Sequence, residues 1–186
     1  MKLALFPLSV FLLPGGITRL RIFEARYKRL VAEAMASGQG FGLCLPNGEK
    51  GLYAIATRVE IYDFGQDGNG LLTIDIKGVE RFTFDNITSD SDGLLHADAT
   101  MIKDWQAAEV SAEYQFMLPP LKMALTSHPL YSQQDNQQTF DNLSWVCRRW
   151  LELLPIPVDK KYWLANQSSL APSIDFIREV INESNR

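Results

Sequence analysis

The central part of the chain consists of short apolar stretches separated by turn residues. Five runs between Gly40 and Met101 are apolar or alternate between apolar and polar positions, with Pro, Gly, Asn, Asp or Ser between most of them. Because each strand needs neighbours to cover its apolar face, short strands at this spacing predict a barrel or a sandwich. The predicted strands are Phe41–Leu45, Tyr53–Phe64, Gly70–Lys77, Arg81–Ile87 and Leu94–Met101, after a short first strand that Pro7 ends.

Two of these runs are predicted to form a hairpin. Leu72, Ile74 and Ile76 alternate with Thr73, Asp75 and Lys77, so we expect one face of this strand to be covered and the other to be solvated. The tip Gln66–Asn69 supplies residues that tolerate positive φ. We therefore expect Val59–Phe64 to pair with Leu71–Ile76.

A helix is predicted before the strands, because apolar residues there recur every three or four positions and Gly38 is placed to end it. Glu24 and Arg26 lie at a strand-to-helix junction. In a structural role, the acidic residue interacts favourably with the positive end of the helix dipole and the arginine donates hydrogen bonds to loop carbonyls. The alternative is that both residues contact a ligand. The stripe comprises Phe23, Tyr27, Leu30, Val31, Ala34 and Met35, and we expect Phe23 and Tyr27 to pack in the core.

The last third of the chain is predicted to be helical. Apolar residues from Leu143 to Leu154 follow helical spacing, with Asp141 placed to cap the helix and Pro155 to end it. Asp159 is placed to cap a short helix that runs through Leu164. Further helices are predicted between Ala107 and Leu125, where Pro119 and Pro120 break or begin a helix, and along Leu170, Ile174, Ile177, Val180 and Ile181.

These patterns predict an α+β protein in two parts. Residues 1–106 form a β-rich domain with one crossing helix, and residues 107–186 form a helical subdomain packed on it. The packing is expected because Leu143, Trp150, Ile174 and Val180 offer more apolar surface than helices leave in water. The polar connection Ser132–Gln138 is the best candidate for a mobile loop.

Charge is unevenly distributed along the chain. The 18 Lys and Arg against 22 Asp and Glu give a net charge of −4, which argues against a general nucleic-acid or membrane binder. Residues 1–59 carry eight bases and three acids, whereas residues 60–113 carry three bases and twelve acids. Such segregation fits complementary faces within one fold, or an acidic surface that faces a partner.

The N-terminus and the cysteines bear on the compartment. Lys2 and the apolar stretch Leu3–Leu13 imitate a signal peptide, but Pro7 interrupts the stretch and no small-x-small cleavage site follows. Eleven residues are also too few to span a bilayer as a helix, which needs about 20. Cys44 and Cys147 form no CxxC motif, which favours a reducing compartment. We therefore expect a cytoplasmic protein.

Catalytic motifs are not recognised in the sequence. The glycines lack the spacing of a phosphate-binding or dinucleotide-binding loop, and no Gly-x-Ser-x-Gly elbow is found. His96 and His128 are the two imidazoles, and Cys44 and Cys147 lie within apolar stretches where thiols are usually inert. We predict no catalytic residue, no metal site and no cofactor, and therefore no enzyme.

Four short motifs connect the chain to a known family. Leu5–Leu8 (LFPL), Leu13–Gly15 (LPG), Leu20–Tyr27 (LRIFEARY) and Gly78–Phe82 (GVERF) resemble, in order and approximate spacing, the N-terminal substrate-recognition domain of ATP-dependent Lon proteases. The resemblance implies a β pseudobarrel related in topology to the PUA RNA-binding domain, followed by a helical bundle. The chain ends before the ATPase and protease modules of that family, so we expect a stand-alone Lon-domain protein with neither activity.

The first functional hypothesis is a non-catalytic module that binds extended or unfolded polypeptide, or a protein partner, in an apolar groove between barrel and helices. Strand addition at an exposed sheet edge is a physical route to such binding. Phe11 and Leu12 adjoin an irregular Pro-Gly-Gly turn, so we expect them to lie exposed as an apolar contact. The predicted peptide-binding residues are Phe11, Leu12, Pro14, Arg21 and Glu24.

The second hypothesis is RNA binding through a PUA-like barrel. A local group of bases would contact phosphates, and affinity would fall with rising salt. The net negative charge and the twelve acids of residues 60–113 disfavour it. The bases are Arg19, Arg21, Arg26, Lys28 and Arg29.

Overall fold

The computed structural model describes residues 1–133 and 140–184. Two compact units are present, Met1–Asp104 and Trp105–Arg186, and each is described by itself. Residues 134–138 of the predicted mobile loop lie outside the described residues. The predicted boundary at residue 106 and the packing of the helices on the β-rich part both stay predictions.

The first unit is built on six strands whose pairings form a circuit. The order is β2-β5-β4-β3-β1-β6, and β5 pairs with β6 as well, which connects five of the strands in a ring. Only the pair of β1 and β3 is parallel among these described pairings. The strands are β1 (Lys2–Pro7), β2 (Ile17–Ile22), β3 (Phe41–Cys44), β4 (Ile55–Gln66), β5 (Leu72–Ser89) and β6 (Leu95–Met101).

Strand β5 takes part in most of this circuit. Its first residues pair with both β2 and β4, and the registers Ile61↔Ile76 and Phe64↔Ile74 confirm the predicted hairpin. Its last residues, from Phe82 to Ser89, pair with β6. The prediction of separate strands before and after residues 78–80 is wrong. The ladder continues across Gly78, and the register shifts between Arg58 and Val59 of β4, where the pairing passes over Val79 of β5.

Helix α1 (Ala25–Ser37) covers the core of this unit. Its buried residues join a cluster with β-strand side chains, and the Tyr27 ring stacks on Phe6 with centroids 4.0 Å apart. Gly38 ends the helix at φ 66°, as predicted. Two residues of the predicted stripe are exposed, Met35 at 51% and Phe23, which was expected in the core, at 66%. Phe23 precedes the first helical residue, and Met35 is rotated about 100° from its buried neighbour Ala34.

Within the described residues, the second unit contains four α-helices and two short 3-10 helices, Ala112–Met117 and Tyr131–Gln133. The α-helices are α2 (Leu118–Thr126), α3 (Leu143–Leu153), α4 (Val158–Ala165) and α5 (Ala171–Ser184). Pro119 and Pro120 begin α2, where their missing N–H groups need no partner. Two predicted caps are wrong. Asn142 caps α3 by accepting a hydrogen bond from the Trp145 amide, and Asp159 lies inside the first turn of α4 after Pro157.

Candidate functional site

The loop between β1 and β2 holds three of the predicted binding residues. Leu12 is only 6% exposed and belongs to the core cluster, and its carbonyl accepts a 2.7 Å hydrogen bond from Thr57 Oγ1. Pro14 is buried and Phe11 is half-buried. The expected exposure of Leu12 is therefore wrong. The loop lies against the sheet instead of projecting into solvent.

Main-chain hydrogen bonds fasten this loop to strand β5. Gly15 donates to the Gly78 carbonyl at 2.7 Å, and Gly78 donates to the Gly16 carbonyl at 2.8 Å. The approach requires glycine at position 78, because an added Cβ would lie 2.3 Å from the Leu13 carbonyl oxygen. The hydrogen bonds of the Pro-Gly-Gly turn therefore continue directly into the ladder between β2 and β5.

Strand β2 lies at one end of the strand order. It pairs with β5 over its whole length, and no strand covers its other side within the part of the chain that the structure describes. In an antiparallel pair, every second residue forms main-chain hydrogen bonds with the partner strand. Gly78 donates to the Gly16 carbonyl, so the next residues of β2 whose main-chain groups point towards β5 are Thr18, Leu20 and Ile22. The main-chain N–H and C=O groups of Arg19 and Arg21 therefore point outward.

The side chains of Arg19 and Arg21 are held along the sheet by carboxylates. Arg19 donates two hydrogen bonds to Asp75, at 2.6 and 2.7 Å, and the Asp75 residue is only 4% exposed. This pairing raises the pKa of Arg19 above its usual range. Arg21 Nε lies 3.0 Å from Asp67 Oδ2. The pKa of Asp67 is lowered, mainly by hydrogen bonds from the Leu71 and Asn69 amides and less by Arg21.

Glu24 follows β2 and accepts a hydrogen bond from Arg26 at 2.8 Å. Arg26 also donates to the Gly93 carbonyl at 3.3 Å, and its guanidinium lies 4.7 Å from the Tyr27 ring centroid. These contacts are the structural role expected at the junction. Glu24 and Arg21 are both accessible, with Glu24 half-exposed and Arg21 exposed.

Arg29 connects α1 to the turn between β5 and β6. Its guanidinium contacts Asp92 at 2.7 and 2.8 Å, Asp90 at 2.8 Å and Glu33 at 2.8 Å. The pKa of Arg29 is raised by these carboxylates, and that of Asp92 is lowered, chiefly by Arg29. Of the five bases in the RNA hypothesis, the four arginines are thus paired with carboxylates.

The remaining reactive side chains have structural surroundings. His96 Nε2 lies 2.9 Å from Glu33, and His128 Nδ1 accepts from the Leu130 amide at 3.3 Å. The thiols Cys44 and Cys147 are free and buried, and burial raises the pKa of each to about 12. Within residues 1–133 and 140–184, no three His, Cys, Asp or Glu side chains are arranged to hold a metal ion. The same residues include no helix that is long and apolar enough to cross a bilayer.

The predicted strands did not include β2 (Ile17–Ile22). A period-two signal is nevertheless present, since Leu20 and Ile22 point to the core and alternate with the exposed Arg19 and Arg21. The exposed Phe23, which directly follows this strand, was also missed because it was assigned to the helical stripe. Together these residues define the open edge, which we name the β2 edge: the outer main-chain side of Arg19–Arg21 with the adjoining Phe23.

The fold and this site define a small α+β domain with an accessible strand edge. Comparison with known proteins gives the family. The chain matches the model of the ATP-dependent protease La (LON) substrate-binding domain over residues 2–182, and it belongs to that family. The predicted resemblance and fold class are therefore confirmed. A search of the curated proteins found no match.

Two solved structures are similar to this chain. The Lon N-terminal domain protein from Xanthomonas campestris is 27% identical, with 96% of this chain and 98% of that chain covered and a TM-score of 0.72. The N-terminal domain of the Mycobacterium avium complex Lon protease is 15% identical, with 98% of each chain covered and a TM-score of 0.68. The second likeness concerns the fold alone.

Proposed function

We propose that this substrate-binding domain captures extended or unfolded polypeptide by adding it as a strand to the β2 edge. The observation that carries the proposal is the one-sided pairing of β2, which leaves the N–H and C=O groups of Arg19 and Arg21 directed outward. An incoming strand would pair with these groups, and main-chain pairing depends little on the bound sequence. Binding of this kind suits a module that recognises many polypeptides.

The side chains around the β2 edge support this function. The aliphatic stems of Arg19 and Arg21 extend along the sheet while their guanidinium groups stay with Asp75 and Asp67. Phe23 is exposed at the end of the strand and offers an apolar contact to a side chain of the bound segment. Glu24 lies next to Phe23 in the sequence, and its carboxylate, which pairs with Arg26, is half-exposed.

The five predicted binding residues divide into two groups in this proposal. Arg21 and Glu24 contact the bound segment, with Phe11 as a further half-buried candidate. Leu12 and Pro14 are buried and do not contact the bound segment. Their role is to fix the loop that precedes β2. A groove between the two units, as first predicted, remains a separate prediction.

RNA binding is the weaker alternative. Phosphate contacts need cations that can leave their present partners, and Arg19, Arg26 and Arg29 each have a carboxylate within 2.9 Å. Polypeptide recognition through main-chain groups needs no such exchange. A cytoplasmic location accords with the proposal, since Cys44 and Cys147 remain free thiols.

The decisive experiment removes one outward N–H group while leaving the strand in place. Proline is tolerated on an edge strand where the N–H faces solvent, so Arg21→Pro should fold and yet block pairing. Arg21→Ala is the matched control, because it removes the same side chain but keeps the N–H. Asp67 retains two amide donors in both variants. Anisotropy of a fluorescein-labelled, extended 12-residue peptide measures the affinity.

We expect Arg21→Pro to bind at least about fivefold more weakly than Arg21→Ala, as for loss of one main-chain hydrogen bond or more. A second test leaves the protein unchanged. The same peptide with every amide N-methylated has no N–H donor on either edge, so its binding to the wild-type chain should be abolished. Undiminished binding of this fully methylated peptide would disprove strand addition even if Arg21→Pro failed to fold.

A further inference from the structure

The helical unit contains an apolar groove that the proposed function does not use. The groove has a volume of about 950 Å³ and runs between α2 and α5. Met123 and Ser127 lie on its α2 side, Arg178 and Ile181 lie on its α5 side, and Phe116 and Trp150 complete the lining. Met123 is 73% exposed, so the groove is accessible to a large ligand.

The lining is held in shape by contacts within the unit. Trp150 Nε1 donates a 3.1 Å hydrogen bond to the Met117 carbonyl, which fixes the indole. The Arg178 guanidinium lies 5.4 Å from the Phe116 ring centroid and 3.5 Å from Glu113 Oε1. The one cation of the described lining is therefore already paired with a carboxylate and an aromatic face, and the rest of the lining is mainly apolar.

The exposed side of α5 is acidic next to this groove. Asp175, Glu179 and Glu183 are spaced by four residues, so they form one stripe along the helix, and all three are exposed. Arg178 and Asn182, which line the groove, are the immediate neighbours of this stripe. Lys122 of α2 is exposed but does not line the groove, and its ammonium lies 5.0 Å from the Phe140 ring centroid.

We propose that the groove binds an amphipathic helix of a partner protein, with apolar residues at helical spacing and lysine or arginine along one flank. Two helical walls and an apolar lining suit a third helix, whose residues at i, i+3, i+4 and i+7 enter the groove. The basic flank lies beside Asp175, Glu179 and Glu183. A second copy of this chain is a poor occupant, because it would bring an identical acidic stripe to the interface.

The partner in this proposal is a folded helix on the helical unit, not an extended strand on the β2 edge. The two proposals therefore fail independently. Arg21→Pro should leave helix binding unchanged, and variants of the groove should leave binding of the extended peptide unchanged.

The test uses the full chain and three labelled 18-residue peptides in fluorescence anisotropy. The first has leucine at positions i, i+3, i+4 and i+7 with lysine on one flank, the second is the same composition scrambled, and the third has glutamate in place of lysine. We expect the first to bind most tightly. Met123→Glu should weaken its binding about tenfold or more, as for a central apolar anchor. Val158→Glu is the matched control, since Val158 is an exposed apolar residue of α4 outside the groove.

Glu179→Lys tests the electrostatic part by charge exchange. This variant should bind the lysine peptide about two- to fivefold more weakly and the glutamate peptide more tightly, as for exposed ion pairs. Equal affinity for the scrambled peptide, or no difference between Met123→Glu and Val158→Glu, would overturn the proposal. Sedimentation velocity provides the remaining check. A wild-type dimer that Met123→Glu converts to a monomer would assign the groove to self-association instead.

Discussion

Leu12→Ala is the substitution that separates a core role of the β1–β2 loop from a contact role. Leu12 is 6% exposed and belongs to the same cluster as Phe6, Tyr27 and Ile76. Substitution of a buried leucine by alanine costs about 2–5 kcal/mol, and the cost is smaller where the surroundings can collapse. Leu12 lies in a loop that can move more easily than a strand, so we expect about 2–3 kcal/mol.

The same free energy predicts the change in melting temperature. A unit of the size of Met1–Asp104 loses about 4–8 °C per kcal/mol, whereas a chain of 186 residues that unfolds as one cooperative unit loses about 2–4 °C. The expected shift is therefore about 8–24 °C if the first unit unfolds alone and about 4–12 °C if the whole chain unfolds together. Calorimetry distinguishes the two cases, because the first produces two transitions.

The assay is urea unfolding followed by circular dichroism, with Phe23→Ala as the control. Phe23 is an apolar residue of the same unit but is 66% exposed, so its truncation should change the free energy of unfolding by less than about 0.5 kcal/mol. Below its unfolding midpoint, Leu12→Ala should still bind the extended peptide. If Leu12→Ala is as stable as Phe23→Ala and loses peptide binding, Leu12 is a contact residue and the core assignment fails.

Two further predictions concern other buried positions. Gly78→Ala should destabilise the first unit by more than an ordinary surface substitution, because its Cβ would lie 2.3 Å from the Leu13 carbonyl oxygen. Gly68→Ala is the control, because Gly68 has open space around it. Equal urea midpoints of the two variants would refute the reasoning. Cys44 and Cys147 should react with Ellman's reagent at pH 8 only after unfolding, because burial raises each pKa from 9.0 to about 12. The folded state then holds both protons more tightly, so stability should fall as pH rises from 9 towards 12, and rapid labelling of the native chain would contradict this.

Local patterns in the sequence were enough to predict the hairpin and the end of the first helix. Alternation over Leu72–Lys77 and the tip Gln66–Asn69 predicted that β4 pairs with the start of β5, whereas the register, with its shifts at Arg58/Val59 and Ile61/Asp63, was not predicted. Gly38 is similarly decisive, since a left-handed residue at a helix C-terminus strongly favours glycine. These features depend on neighbours in sequence, so a single sequence reveals them.

Features that depend on distant contacts were predicted less well. Leu12 is buried through contacts with residues such as Thr57, 45 positions away, which no local pattern encodes. One strand was predicted to end at Lys77 and the next to begin at Arg81, whereas Gly78 lies within a continuous strand and leaves room for the Leu13 carbonyl. The predicted N-cap of α3 was wrong by one residue. Asp and Asn are both favoured at this position, and the helix begins so that Asn142, not Asp141, is the cap.

The charge segregation of the sequence acquires a physical meaning in the first unit. Bases of the N-terminal segment pair with acids of the central segment, as in Arg19 with Asp75, Arg21 with Asp67 and Arg29 with Asp92. The pairs join β2 to β5 and the β4–β5 tip, and α1 to the β5–β6 turn, so this segregation is in large part satisfied within one fold. Because these guanidinium groups are already engaged, recognition at the β2 edge falls to the main chain. Affinity for an extended neutral peptide should accordingly depend little on salt, whereas phosphate binding would weaken steeply.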